Sequence, residues 1–223
     1  MTVLLVVLTF AVLLAIDFFR KGKPAEEHQA EPARGVFAPS AGQPTVVAGF
    51  EFRENLRYHP GHMWALRESP TAVRVGMDDF AVKLAGKMES VTLPKRGQWI
   101  RQGQKVATIL RGGAKASLVS PIEGEVTDVN EAVLADASLP GRDPYGEGWL
   151  LTVLSPDAAT NLRNLLAGEL ARRWMAEAAS RLRAKLPAVA GAVAQDGGLA
   201  VNDLAAHLPG TGWSELTREF FLI

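Results

Sequence analysis

Between residues 105 and 121 the chain reads KVATILRGGAKASLVSP, two runs of alternating character joined by Gly112 and Gly113. A glycine pair between such runs specifies a tight β-hairpin, because the primed turns that suit strand twist need positive φ, which glycine adopts at little steric cost. The pairing follows from the loop length: with two residues in the loop, Arg111 faces Ala114 and Leu110 faces Lys115.

Short strands are expected on both sides of this hairpin. Alternation recurs in Ala72, Val73, Arg74 and Val75, in Ser90, Val91, Thr92 and Leu93, and in residues 148–154, with Pro70, Pro94, Pro121 and Pro144 as breaks. Strands at this spacing predict a sandwich or barrel over residues 50–156. A weak internal repeat, residues 86–91 against 124–129, agrees with two interlocking halves. The full length of 223 residues, 48% of them apolar, allows one sizeable domain with appendages. Basic and acidic residues balance at 24 each, which gives no electrostatic reason to expect a nucleic-acid partner. Without cysteine there is no disulfide, thiolate metal site or cysteine nucleophile.

The appendages differ sharply in character. Residues 1–16 carry no charge and are followed by Asp17, Phe18, Phe19, Arg20, Lys21 and Lys23. A bilayer span needs about 20 residues, so residues 1–20 are expected to form a single transmembrane helix. Positive charge following the span places the N-terminus outside and the rest of the chain on the cytoplasmic face of the inner membrane. Asp17 reads as an interfacial carboxylate, with contact to a partner helix as the alternative, and Arg20 as a snorkelling cation. Residues 21–49, rich in proline and glycine, read as a tether. Asp157 is placed to cap a helix through residue 186, ending before Pro187, with Leu162, Leu165, Leu166, Leu170 and Trp174 on its apolar side. The tail, 187–223, is expected to hold short helices over 199–208 and 213–221, with Trp213, Leu216 and Phe220 on one face. Its ending in Phe220, Phe221, Leu222 and Ile223 needs burial, against its own domain or on another subunit.

Several motifs occur in a fixed order: YHPGHMW at 58–64, GMDDFA at 76–81, Leu93 and Pro94, Gly97, Gly103, SPIEGEV at 120–126, Asn130 with Glu131, and DPYGEGWL at 143–150. Together they resemble the H protein of the glycine cleavage system, over roughly residues 50–157. The resemblance implies a mainly β fold, the flattened lipoyl-type β-sandwich, and a hairpin-tip lysine that carries lipoic acid. Counted back from Ser120 and Pro121, that lysine would fall on Gly113, and its acidic neighbour on Leu110. The nearest lysine is Lys115, one rung down the ladder. It reads as a solvated strand lysine, with a displaced lipoyl acceptor as the alternative.

Other candidate groups read as structural. His59 and His62 lack a third ligand nearby, and the resemblance accounts for His62 and Trp64 as fold positions. Asp78 with Asp79, and Glu123 with Glu125, lack the opposed geometry that a pair of catalytic carboxylates needs. No nucleophile with base, phosphate loop or metal cluster stands out, so an enzyme is not expected.

The resulting expectation is a non-catalytic, non-lipoylated domain without a cofactor, a docking subunit of a larger membrane complex such as a photosynthetic reaction centre or respiratory assembly. Its partners would be the lipid bilayer and other subunits, met through Asp17, Arg20, Gly112, Gly113, Trp213, Phe220 and Phe221. The alternative is a membrane-tethered carrier lipoylated on Lys115.

Overall fold

The computed structural model describes residues 44–185, 199–207 and 212–222. The expected transmembrane helix, with Asp17 and Arg20, and most of the tether lie outside these residues. Among the described residues no helix is long and apolar enough to cross a membrane.

The architecture is mainly β. A hairpin of β1 (Thr45–Val47) and β2 (Phe50–Phe52) precedes a six-stranded antiparallel sheet in the order β3-β4-β5-β11-β10-β7. Its strands are β3 (Arg57–His59), β4 (Met63–Arg67), β5 (Ala72–Met77), β7 (Trp99–Ile100), β10 (Gly124–Val129) and β11 (Trp149–Leu154). A three-stranded sheet, β6-β8-β9, joins β6 (Ser90–Thr92) to the central hairpin of β8 (Lys105–Arg111) and β9 (Ala114–Val119). The alternation expected of the hairpin holds in the first part of β9, where buried Ala116 lies between exposed Lys115 and half-buried Ser117, and β10 alternates likewise, with Val126 buried between exposed Glu125 and Thr127. Strand β11 buries both faces at Leu150, Leu151 and Val153, since it lies inside the six-stranded sheet. Strand β1 begins inside the stretch expected to be tether. The supposed repeat differs in structure: residues 124–129 are a strand, whereas Gly86 ends helix α1 (Asp79–Ala85) with φ +63°.

One close approach locks the sheet. Trp64 on β4 is 1% exposed, donates its indole N–H to the carbonyl of Pro144 at 3.0 Å, and lies across from Gly76 on β5. A Cβ at Gly76 would sit 2.5 Å from Trp64 Cζ2, so only glycine lets the ring lie flat there. Two phenols, of buried Tyr58 and half-buried Tyr145, fasten the β1–β2 hairpin. Tyr58 donates to the carbonyl of Arg53 at 3.0 Å, and Tyr145 to that of Glu51 at 2.7 Å. Burial raises the pKa of both and keeps them protonated as donors.

Short helices α2 (Glu131–Ala135) and α3 (Leu139–Arg142) connect β10 to β11. Asn130 caps α2 by accepting from the Ala132 amide at 3.1 Å, while its amide group donates to the carbonyls of Glu147 and Trp149. The single helix expected from 157 to 186 is instead two, α4 (Ala158–Arg163) and α5 (Gly168–Lys185). Between them Leu166 exchanges both backbone hydrogen bonds with Tyr58, at 2.8 and 2.9 Å, and Gly168 turns through φ +52°. Pairing with a strand edge outcompetes the helical pattern there. Asp157 stands at the start of α4 without a side-chain cap, and Leu170 is exposed rather than on the buried side. The tail is a 3-10 turn (Leu204–His207) and α6 (Trp213–Phe220); the Ala200 amide bonds the carbonyl of Gly49 at 2.7 Å.

Substituting Gly76→Ala forces the Trp64 ring out of its place. Overpacking of this kind costs about 1–3 kcal/mol. Urea unfolding should show that loss, with the paired variant Gly76→Ala/Trp64→Phe recovering part of it.

Candidate functional site

The β8–β9 turn forms as the sequence predicts. Leu110 pairs with Lys115 and Arg111 with Ala114, and Gly112 and Gly113 take φ +54° and +73°, positive at both central positions. A Cβ at either glycine would meet nothing within 4 Å, so backbone conformation, not space, selects glycine here. The exposed tip is held from behind: the Gly112 amide donates to Glu89 Oε1 at 2.7 Å.

Beside the tip, the C-terminal tail braces the hairpin. The Arg111 guanidinium pairs with the carboxylate of Asp203 and lies 5.3 Å from the centre of the Trp213 ring. Asp203 itself sits at φ +64° over Gly86, where a Cβ would come within 2.6 Å of the Asp203 Cα. Trp213 is half-buried and meets Phe221 edge-on at 6.3 Å. Sequence reasoning singled out Gly112, Gly113 and Trp213 but missed Arg111 and Asp203. Their partnership spans 92 positions, and no local pattern announces a contact that long.

Lys115 lies one rung below the turn and is exposed. Among the described residues its amine makes no hydrogen bond or ion pair.

Phe220 and Phe221, expected as partner-docking residues, are 1% and 0% exposed. Phe220 packs 5.1 Å from Phe80 and beneath the Arg181 guanidinium. The tail buries its aromatics against its own domain, so neither ring is presented to a partner.

His59, His62, Asp78, Asp79 and Asp143 make structural contacts. His62, at φ +60°, places Nδ1 2.8 Å from Asp78 Oδ2, and its ring stacks on Phe80 at 4.0 Å and meets Trp174 at 4.6 Å. The other Asp78 oxygen accepts from the Ala81 amide at 2.8 Å and caps α1. His59 Nδ1 accepts from the Gly61 amide at 3.0 Å. Asp79 accepts from Lys83 and from the Glu51 amide, both at 2.6 Å, while burial raises its pKa. Asp143 accepts from the amides of Gly146 and Glu147, which is turn chemistry. Among the described residues no group of three or more histidines and acids could hold a metal ion.

Asp78→Ala removes a helix cap and a buried histidine's partner together, a loss of roughly 2–4 kcal/mol from the two effects combined. Asp78→Asn, which keeps a capping oxygen, should lose less in the same urea titration. His59 is held below the ordinary imidazole pKa first by burial and second by His62. The unfolded chain therefore takes up the proton more readily. Stability should be full above the usual imidazole pKa, near 6.5, and fall as pH drops through that value towards the folded one. A His59→Gln variant should show a flatter profile over that window.

The glycine cleavage H-protein family model matches residues 56–178. A probable glycine cleavage system H protein from Aeropyrum pernix is 40% identical over 113 residues, covering 50% of this chain and 78% of that one. The glycine cleavage system H protein of Legionella pneumophila is 37% identical over 123 residues, covering 55% and 97%. A crystal structure of the Mycobacterium marinum H protein aligns over 56% of this chain and 98% of its own, at 26% identity and a TM-score of 0.48. The matches overturn the expectation of a domain without a cofactor, because H proteins of this family carry lipoate on a lysine. The family match ends before the bracing tail, and over residues 56–178, from β3 through α4 and the first part of α5, the chain belongs to the glycine cleavage H-protein family.

Proposed function

We propose that the protein is a membrane-tethered carrier of the glycine cleavage H type, with Lys115 as the residue that accepts a lipoyl group. The observation that carries this is an exposed amine, without hydrogen bond or ion pair among the described residues, on the strand leaving the turn of an H-family domain. Lys115 meets the chemical requirement for the group, a primary amine open to acylation. Lipoate held there through an amide would supply a dithiolane able to carry an aminomethyl group or reducing equivalents.

The chain's own residues supply presentation. Gly112 and Gly113 have no side chains, so the turn above Lys115 does not shield its amine although the lysine stands one rung down. The paired register of β8 and β9 makes the hairpin a stiff stalk, while the aliphatic stem of Lys115 retains its own freedom. Glu89 and the Arg111–Asp203 pair keep the stalk from rocking. The uncharged run of residues 1–16, followed by Arg20, Lys21 and Lys23, supports a membrane tether with the β domain on the cytoplasmic face.

A second reading, a docking subunit of a larger membrane complex, is favoured by the tail. That segment lies beyond the family match and braces the tip, which suits a fixed contact surface made of Gly112, Gly113 and Trp213.

Mass spectrometry of the native protein separates the readings. A carrier shows the mass of one added lipoyl group, mapped to Lys115 by peptide fragmentation and absent from Lys115→Arg. An unmodified protein from cells whose other lipoyl domains are fully loaded would sink the carrier reading, and co-purification of a defined assembly in mild detergent would then support docking.

A further inference from the structure

A cleft of about 450 Å3 opens between the β3–β4 hairpin and α4, away from the β8–β9 turn. Asn55, Arg57, Arg67 and Arg163 line it over a floor that includes Ala65 and Leu162. The register explains the convergence. Arg57 pairs with Ala65, and Arg67 follows Ala65 by two residues, so all three share one face of the hairpin, with Arg163 arriving at the end of α4.

Two of these guanidinium groups are held by neutral acceptors. Arg67 donates through Nε to the carbonyl of Ser69 and through Nη2 to that of Pro70, each at 3.1 Å, and Arg163 donates through Nη2 to Thr160 Oγ1 at 3.1 Å. The acids nearest to Arg57 and Arg67 in sequence are engaged elsewhere, Glu54 with Arg172 and Glu68 with Arg74. Among the described residues none of the three arginines pairs with a carboxylate. Three uncompensated positive charges on one concave surface concentrate anions there. Guanidinium forks match the oxygens of a tetrahedral oxyanion, and the Asn55 amide adds a neutral donor and acceptor.

We infer that this cleft binds a phosphate group, offered either by an anionic phospholipid headgroup or by a small soluble phosphate. The site is independent of lipoylation, since no hairpin-tip residue lines it.

The test is protection of arginine from phenylglyoxal in the full chain, read residue by residue by peptide mass spectrometry. Inorganic phosphate is compared with chloride at equal ionic strength. In the second arm, bilayers of phosphatidylcholine with phosphatidylglycerol are compared with phosphatidylcholine alone. Modification of Arg57, Arg67 and Arg163 should slow at least threefold in one arm, while exposed Arg101 stays unchanged. Protection by inorganic phosphate identifies a soluble ligand, and protection only by phosphatidylglycerol identifies a headgroup. The double variant Arg57→Gln/Arg163→Gln, with an unchanged near-ultraviolet circular dichroism spectrum, should leave Arg67 unprotected. Equal rates in every condition, or equal protection of Arg101, would overturn the proposal.

Discussion

Asp78 joins the start of α1 to the His62 ring, and several elements pack around that link. One carboxylate oxygen caps α1 and the other holds the His62 ring, and that ring is the surface on which Phe80 from α1 and Trp174 from α5 pack. Phe220 of the tail then closes over Phe80. A carboxylate buried at this junction is tolerable because both of its oxygens are partnered, and an unpartnered one would cost far more than the contacts return. The sheet, two helices and the C-terminal tail are thereby fixed to each other through one acid.

That junction reaches the hairpin through the tail. Burial of Phe220 and Phe221 positions α6, α6 positions Trp213, and Trp213 with Asp203 holds Arg111 beside the Gly112–Gly113 turn. The family match ends before this segment, so Asp203 and Trp213 brace the hairpin from outside the matched domain. Arginine suits the position because its planar cation can satisfy a carboxylate and an aromatic face together.

The hairpin was legible because a two-residue glycine loop leaves one register and one turn class, and the pairs Leu110 with Lys115 and Arg111 with Ala114 followed directly. The break between α4 and α5 was not. Leu162, Leu165 and Leu166 continue a helical pattern through it, and the cause lies in the backbone of Tyr58, far away in the chain. The cofactor expectation failed for a related reason. Counting back from Ser120 and Pro121 set Gly113 where the resemblance leads one to expect a lysine, but a count along the chain says nothing of which amine the fold leaves exposed.

By itself the sequence determined the strands around Val73, Val91 and Leu151, the hairpin turning at Gly112 and Gly113, and the ordered motifs of the family, because each depends on residues adjacent in the chain. Tertiary structure alone decided that Asp203 meets Arg111, that Phe220 and Phe221 bury against their own domain, and that Arg57, Arg67 and Arg163 share a cleft. Those contacts join distant segments through side-chain shape and charge, which take effect only after the backbone has brought them together.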